Sequence, residues 1–278
     1  MKVSFIGGGN MASALIGGLL KKGWSADDIS VVEIDAGART RLAASFHVHT
    51  HADMASGLAA AECIVLAVKP QHVQQAAREM SPYAGNALVV SIAAGIRASD
   101  LARWLNGHGR IVRAMPNTPA LVLAGVTGLY AAPGVSDADR GRAQALLSVA
   151  GKTLWVGSEE QIDAVTAVSG SGPAYVFFFI EALQEAAAAL HLEPETARCL
   201  ALETFAGAVK LAAESTESPA TLRARVTSKG GTTERALSEL EKDHVREAIV
   251  RAVSAAAARS RELGVALGHD DTAGSAPR

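Results

Sequence analysis

Short apolar runs alternate with stretches of helical spacing from the first residues onward, and this rhythm constrains the fold more than any other feature of the chain. "KVSFIG", "ISVVEI", "ECIVLAVKP", "ALVVSIA" and "RIVRAMP" have the length of strands. They are nearly continuous in apolar residues, as strands buried on both faces of a parallel sheet are. "NMASALIGGLLKKG", "GARTRLAASF", "QHVQQAAREM" and "SDLARWLNG" carry apolar residues at helical intervals and lie between the runs. Such alternation implies an α/β, doubly wound sheet, which runs near 125–131 and 152–156 extend. From about residue 159 helices take over. "EEQIDAVTAVSGSGPAYVFFFIEALQEAAAALHL" reads as one long helix kinked around Gly170, Gly172 and Pro173, with Pro173 to Phe179 mostly in the core. Pro194 opens the next helix. The reading is an N-terminal α/β domain over residues 1–160, an all-α domain over 161–267, and a small, polar, disordered tail over 268–278.

Composition narrows the function. Of 278 residues, 49% are hydrophobic and 19% charged, which is ordinary for a soluble protein with an ample core. A net charge of −2 gives no reason to expect nucleic acid or an anionic membrane as partner. Glu181, Gln184 and Glu185 interrupt the most apolar helix, so it reads as buried rather than membrane-spanning. Cys63 and Cys199 form no disulfide framework, and no signal peptide precedes the first strand, so the expected location is the cytoplasm. The helical half is too apolar and too small to fold comfortably alone, and a helical dimer interface would cover it.

"FIGGGNMASAL" places Gly7, Gly9 and Ala12 in a G-x-G-x-x-A spacing directly after a strand and at the opening of a helix. Glycines there allow a tight turn and close approach of a pyrophosphate, which the helix N-terminus attracts. A glycine turn that merely packs a helix on a sheet is the plain alternative, but here the turn is the first of a complete alternating pattern. Glu33 ends the second strand, where an acid grips the adenosine ribose of NAD. Asp35, Arg39 and Arg41 follow, and the arginines could meet a 2′-phosphate instead, so the cofactor is NADPH or NADH. Lys69 and Pro70 leave a strand at its carboxyl end, the side on which such sheets bind ligands. His47, His49 and His51 would share a face of a strand, but no Cys or carboxylate cluster joins them beyond Asp53, and a solvated edge is preferred to a metal site.

Near the other end, "TSKGGTTERAL" interrupts a helical region with two glycines, a lysine and several hydroxyls. The loop feeds a helix beginning near Thr232 or Thr233, so backbone N–H groups can converge there on an anion. A Ser/Thr helix cap with a loose loop before it would explain part of the pattern.

Together, "FIGGGNMA", "AVKPQ", "VRAMPNTPA", "VSGSGPAYVF" and "VTSKGGTTERAL", in this order, resemble the pyrroline-5-carboxylate reductase family over residues 1–265. The resemblance implies a Rossmann domain, a C-terminal helical dimerisation domain, and reduction of 1-pyrroline-5-carboxylate to L-proline by NAD(P)H. It implies cofactor contacts at Ile6, Gly7, Gly8, Gly9, Asn10, Met11, Glu33, Ala67, Val68, Lys69, Pro70, Ala93 and Asn117. The substrate carboxylate falls to Ser228, Lys229, Gly230, Gly231 and Thr232, with Ser171 lining the pocket. Thr233 hydrogen-bonds the ring nitrogen as the catalytic residue. Homodimers through the C-terminal helices, and larger rings such as decamers, are implied as well. Two positions depart from the family: Met54 and Arg225 stand where asparagine is frequent, and Arg225 could answer a phosphate. The similarly built β-hydroxyacid dehydrogenases carry a proton-donating lysine where this chain has Val176. An apolar residue there suits reduction of an imine and leaves an oxo acid without its proton donor. A dinucleotide-binding protein without turnover remains the alternative of another class.

Overall fold

The computed structural model describes residues 1–269, so the expectation for the tail lies, beyond His269, outside the described residues. Among the described residues, 1–171 and 256–269 form one compact unit, and Gly172–Ala255 form a second.

The first unit runs β1 (Val3–Ile6), α1 (Asn10–Lys21), β2 (Ile29–Val32), α2 (Ala36–Phe46), β3 (His49–His51), α3 (Met54–Leu58) and β4 (Cys63–Leu66). It continues with α4 (Val73–Met80), β5 (Leu88–Ser91), α5 (Ala98–Trp104), β6 (Ile111–Met115), β7 (Gly125–Ala131), α6 (Asp137–Leu147), β8 (Gly151–Trp155) and α7 (Glu160–Val165). The strands join in the order β3-β2-β1-β4-β5-β6-β7-β8. Every pairing is parallel except β6 with β7. That exception has a simple cause. Only a 3₁₀ turn (Thr118–Val122) separates these two strands, and a parallel crossover needs a dozen residues or more.

The continuous apolar runs are used on both faces. Val3, Phe5, Cys63, Val65, Leu88 and Val90 pack with Leu15, Ile16 and Leu19 on one side. Ile6, Ile64, Leu66 and Val89 pack with Met80 and Leu101 on the other. Period-two alternation within each run thus fills two cores, and each fully buried aliphatic side chain contributes about 2 kcal/mol. Burial pushes the Cys63 thiol up to about 12, which makes it inert at neutral pH.

One buried carboxylate fastens α6 to the sheet. Asp139 accepts from Arg110 at 2.7 and 3.0 Å and from the Ser136 hydroxyl at 3.0 Å, and it is 2% exposed. The Arg110 hydrogen bonds hold its carboxyl below the usual carboxylate range. Its folded value is the depressed one, so the stabilisation is present above the unfolded value of about 4 and is lost as pH falls through the folded value. Asp139→Asn is expected to cost about 2 kcal/mol at pH 7, the partial exposure of Arg110 keeping the loss below that of a fully buried pair. Thermal melts at pH 7 and pH 3 check this: the gap between variant and parent must shrink at the lower pH.

The second unit holds α8 (Gly172–Ala189), α9 (Pro194–Glu214), α10 (Pro219–Arg225) and α11 (Thr232–Lys242), and α12 (Val245–Gly268) passes from it into the first. The expected core position of Pro173 to Phe179 is corrected here. No residue of α8 is buried, and Phe177 and Phe178 are 59% and 67% exposed in the single chain. Within the unit only Ala197 and Ala201 are buried. Apolar residues at helical spacing mark an apolar face, and this chain alone does not cover it. The kink also takes a particular form. Thr166–Gly170 is a π-helical turn, closed by Ser171 N–H donating to the Thr166 carbonyl at 2.8 Å. No helix among the described residues is long and apolar enough to cross a membrane.

Candidate functional site

The glycine turn lies where β1 ends. Gly7 has φ +95°, and a side chain there would press on the Ala67 carbonyl oxygen at 2.9 Å, so the turn requires glycine. A Cβ on Gly8 would meet Leu42 at 2.3 Å, whereas one on Gly9 meets nothing within 4 Å. Gly9 therefore faces open space. It is also the N-cap of α1 and offers no side-chain acceptor, and the first turn of α1 holds no acidic residue. The first hydrogen bond at this end runs from Ser13 N–H to the Gly9 carbonyl, at 2.9 Å. The N–H groups of Asn10, Met11 and Ala12 thus have no helical acceptor, which is what an anion at a helix N-terminus uses. This geometry fits the pyrophosphate of a dinucleotide.

A cavity of about 400 Å³ opens at these glycines. Of the sequence candidates, Ile6, Gly7, Gly8, Gly9, Glu33, Ala67, Val68 and Lys69 line it. Glu33 is fixed there by two backbone donors, Gly8 N–H at 2.9 Å and Asp35 N–H at 3.0 Å. His72, Gln75, Ala76 and Glu79 line it too, together with Val32, Ile34 and Met54. Sequence reasoning did not single out the first four. Their spacing of i, i+3, i+4 and i+7 after the "AVKP" strand exit is the signal that marks them as one helix face.

Other sequence candidates lie elsewhere in the first unit. Asn10 and Met11 open α1, and Pro70 opens a 3₁₀ turn after β4. Ala93 follows β5 and is 7% exposed. The Asn117 amide is engaged within the protein: Oδ1 accepts from Val126 N–H at 2.9 Å, and Nδ2 donates to the Ser169 carbonyl and hydroxyl at 3.3 Å. Asn117 thus ties β7 to the π-helical turn that ends at Ser171. His47 is not on the strand with His49 and His51. It ends α2 in the left-handed conformation (φ 57°), so the three-histidine face does not form. Among the described residues no group of three or more His, Cys, Asp or Glu side chains is placed to hold a metal ion.

In the second unit the loop before α11 has an unusual start. The N-cap is Gly231, which has no side chain, and no side-chain cap is made. The Ser/Thr cap weighed above is therefore not what the hydroxyls are for. Gly230 takes φ +73°, its N–H donates to Glu234 Oε2 at 2.6 Å, and Gly231 N–H donates to the Ser228 carbonyl at 3.0 Å. The first helical bond runs from Arg235 to Gly231 at 3.2 Å, so the N–H groups of Thr232, Thr233 and Glu234 have no helical acceptor. Ser228, Lys229, Gly230, Gly231, Thr232 and Thr233 are thus contiguous around one uncapped helix N-terminus. Arg225, just upstream, is ion-paired to Glu217 at 2.6 Å.

Comparison with known proteins gives a consistent picture. Residues 159–263 match the family model for pyrroline-5-carboxylate reductase dimerisation. Residues 2–95 match that for coenzyme F420-dependent NADP oxidoreductases. The chain is 44% identical to a pyrroline-5-carboxylate reductase of Pseudomonas aeruginosa over 268 residues, covering 96% of this chain and 98% of the relative. Among solved structures, that of the Coxiella burnetii pyrroline-5-carboxylate reductase superposes with a TM-score of 0.89 at 41% identity, covering 94% of this chain and 98% of that one. The Plasmodium falciparum pyrroline carboxylate reductase, solved with NADP bound, superposes with a TM-score of 0.86 at 28% identity, covering 95% and 98%.

Proposed function

The chain belongs to the pyrroline-5-carboxylate reductase family, and from that premise we propose that it reduces 1-pyrroline-5-carboxylate to L-proline, the last step of proline synthesis, using NADPH or NADH. The observation that carries the reading is near-complete coverage, at 44% identity, of a relative with that name. Residues 1–160 serve as the dinucleotide domain and 161–267 as the domain for substrate and dimerisation.

When bound, the reduced nicotinamide supplies a hydride. The protein's own residues bind and orient. The backbone N–H groups of Asn10 and Met11 and the dipole of α1 hold the pyrophosphate, and Ile6, Gly7, Gly8 and Gly9 form the turn that lets it approach. Glu33, Ala67, Val68, Lys69 and Pro70 contact the rest of the cofactor, with Ala93 and Asn117 beyond the cavity. The substrate is a cyclic imine with one carboxylate. The N–H groups of Thr232 and Thr233 take the carboxylate, helped by the Lys229 ammonium and Ser228, on the turn that Gly230 and Gly231 shape, while Ser171 lines the pocket. Thr233 accepts a hydrogen bond from the protonated ring nitrogen and so fixes the C=N bond for attack. A protonated imine is already electrophilic, so alignment and charge matter more than a strong acid. Hydride adds to the imine carbon, the C=N π pair becomes the nitrogen lone pair, and a further proton from water gives the ammonium of proline. Parallel assays test the reading: oxidation of NADH or NADPH must depend on pyrroline-5-carboxylate and must not be supported by a small oxo acid.

The protein works as a homo-oligomer, with the C-terminal helices forming a homodimer that can build larger rings such as decamers. Exposed Phe177 and Phe178 on α8, with Ile249 and Val250 on α12, support this interface. Phe178→Glu is expected to weaken association at least about a hundredfold, since a charge would replace a large apolar anchor. Light scattering across a dilution series reads this out, and an unchanged mass would remove Phe178 from the interface. A cytoplasmic setting suits the unpaired thiols of Cys63 and Cys199.

A further inference from the structure

We infer that Glu33 selects the dinucleotide and makes this protein an NADH enzyme that discriminates against the 2′-phosphate of NADPH. The inference rests on the reductase reading and adds to it which of the two cofactors the site takes.

The carboxylate is positioned rather than free. Oε2 accepts from Gly8 N–H at 2.9 Å and Oε1 from Asp35 N–H at 3.0 Å, one donor from the glycine turn and one from the chain beyond β2. Each oxygen keeps a lone pair after these bonds, and Glu33 lines the same cavity as Gly7, Gly8 and Gly9. An acid so held at the end of the second strand accepts from the adenosine 2′-hydroxyl. A phosphate on that hydroxyl would bring close to two negative charges against the same carboxylate, and it carries no proton to donate to it at neutral pH.

An enzyme that takes NADPH offsets this charge with cations aimed at the phosphate. The three arginines that the sequence offers for that task have other partners. Arg39 is half-buried, and its Nη1 donates to the Glu33 carbonyl at 2.7 Å and the Ile34 carbonyl at 2.9 Å. It therefore fastens the turn that presents Glu33 and does not line the cavity. Arg41 lies 3.9 Å from Asp35, which itself caps α2 by accepting from Ala38 N–H at 2.6 Å. Arg225 is paired with Glu217. The ionisable groups that do line the cavity are Glu33, Lys69, His72 and Glu79, so two carboxylates stand against one lysine and one histidine. Beside Glu33, Ile34 is 88% exposed at the cavity wall, an apolar surface suited to a purine rather than to a phosphate.

The test is direct binding of NADH and NADPH, read by nicotinamide fluorescence in the absence of pyrroline-5-carboxylate. It stays readable even if turnover proves to belong to another substrate. The parent protein is expected to bind NADH at least about tenfold more tightly than NADPH. Glu33→Gln keeps the shape and removes the charge, and Glu33→Ser removes the side chain beyond its hydroxyl. Each is expected to shift the ratio towards NADPH at least about tenfold. Arg39→Ala is expected to weaken both dinucleotides, because it loosens the turn. Equal or better binding of NADPH by the parent would overturn the inference. So would Glu33 variants that weaken both cofactors equally, or an Arg39→Ala variant that loses NADPH alone. Failure to bind either dinucleotide would overturn the cofactor reading itself.

Discussion

Thr233→Ala is expected to lower kcat roughly a hundredfold while dinucleotide affinity stays within about twofold, the loss seen when one hydrogen bond made to the reacting group is removed. The side chain stands in the first turn of α11, and no hydrogen bond from its hydroxyl is formed among the described residues. It is not the helix cap, a place taken by Gly231, so alanine costs no capping energy and stability should change by about 0.5 kcal/mol or less. Those facts separate a catalytic effect from a structural one. Thr233→Ser, which keeps the hydroxyl, is expected to restore most of the turnover. A Thr233→Ala enzyme with normal kcat would remove the residue from the reaction. Equal loss of cofactor affinity would place it at the wrong ligand.

Gly9→Asp is expected to abolish dinucleotide binding, by roughly a hundredfold or more, without harming the fold. The backbone there is extended (φ −70°, ψ −175°), which aspartate adopts freely, and a Cβ meets no atom within 4 Å. Aspartate is a good N-cap, so the carboxylate would satisfy N–H groups of α1 that are otherwise open and raise stability by a few tenths of a kcal/mol. The same carboxylate would occupy the pyrophosphate's place and repel it. Stability and affinity should therefore move in opposite directions. Thermal melting and fluorescence titration on one preparation check both. A variant that binds normally would mean that this helix end is not the phosphate cradle, and a variant that unfolds would mean that Gly9 is needed for the turn.

Much of this was legible in the sequence because the signals are local. Buried parallel strands announce themselves as continuous apolar runs, and the glycine turn is recognised by what precedes and follows it. The reversed direction of β7 depends on the length of one connection rather than on any pattern within the strand. The π-helical turn at Thr166–Gly170 is tied to Asn117 through Ser169, a contact from far along the chain that helical periodicity does not record. Pro173 to Phe179 were expected in the core because periodicity records that a face is apolar, not what covers it. The histidine face failed for the opposite reason: His47 belongs to the end of α2, and boundaries between elements are weakly encoded. The role of Arg39 was open in the sequence because the direction of a long side chain is set by its acceptors, here two carbonyls of the chain after β2.

The most direct test of the central claim is to count product. The protein, pyrroline-5-carboxylate and limiting NADH are incubated together, and L-proline is quantified by chiral chromatography against the reduced cofactor consumed. The account requires one L-proline per NADH oxidised, with no product when either reagent is omitted. Oxidation without proline, or no oxidation by protein that demonstrably binds the dinucleotide, would contradict it.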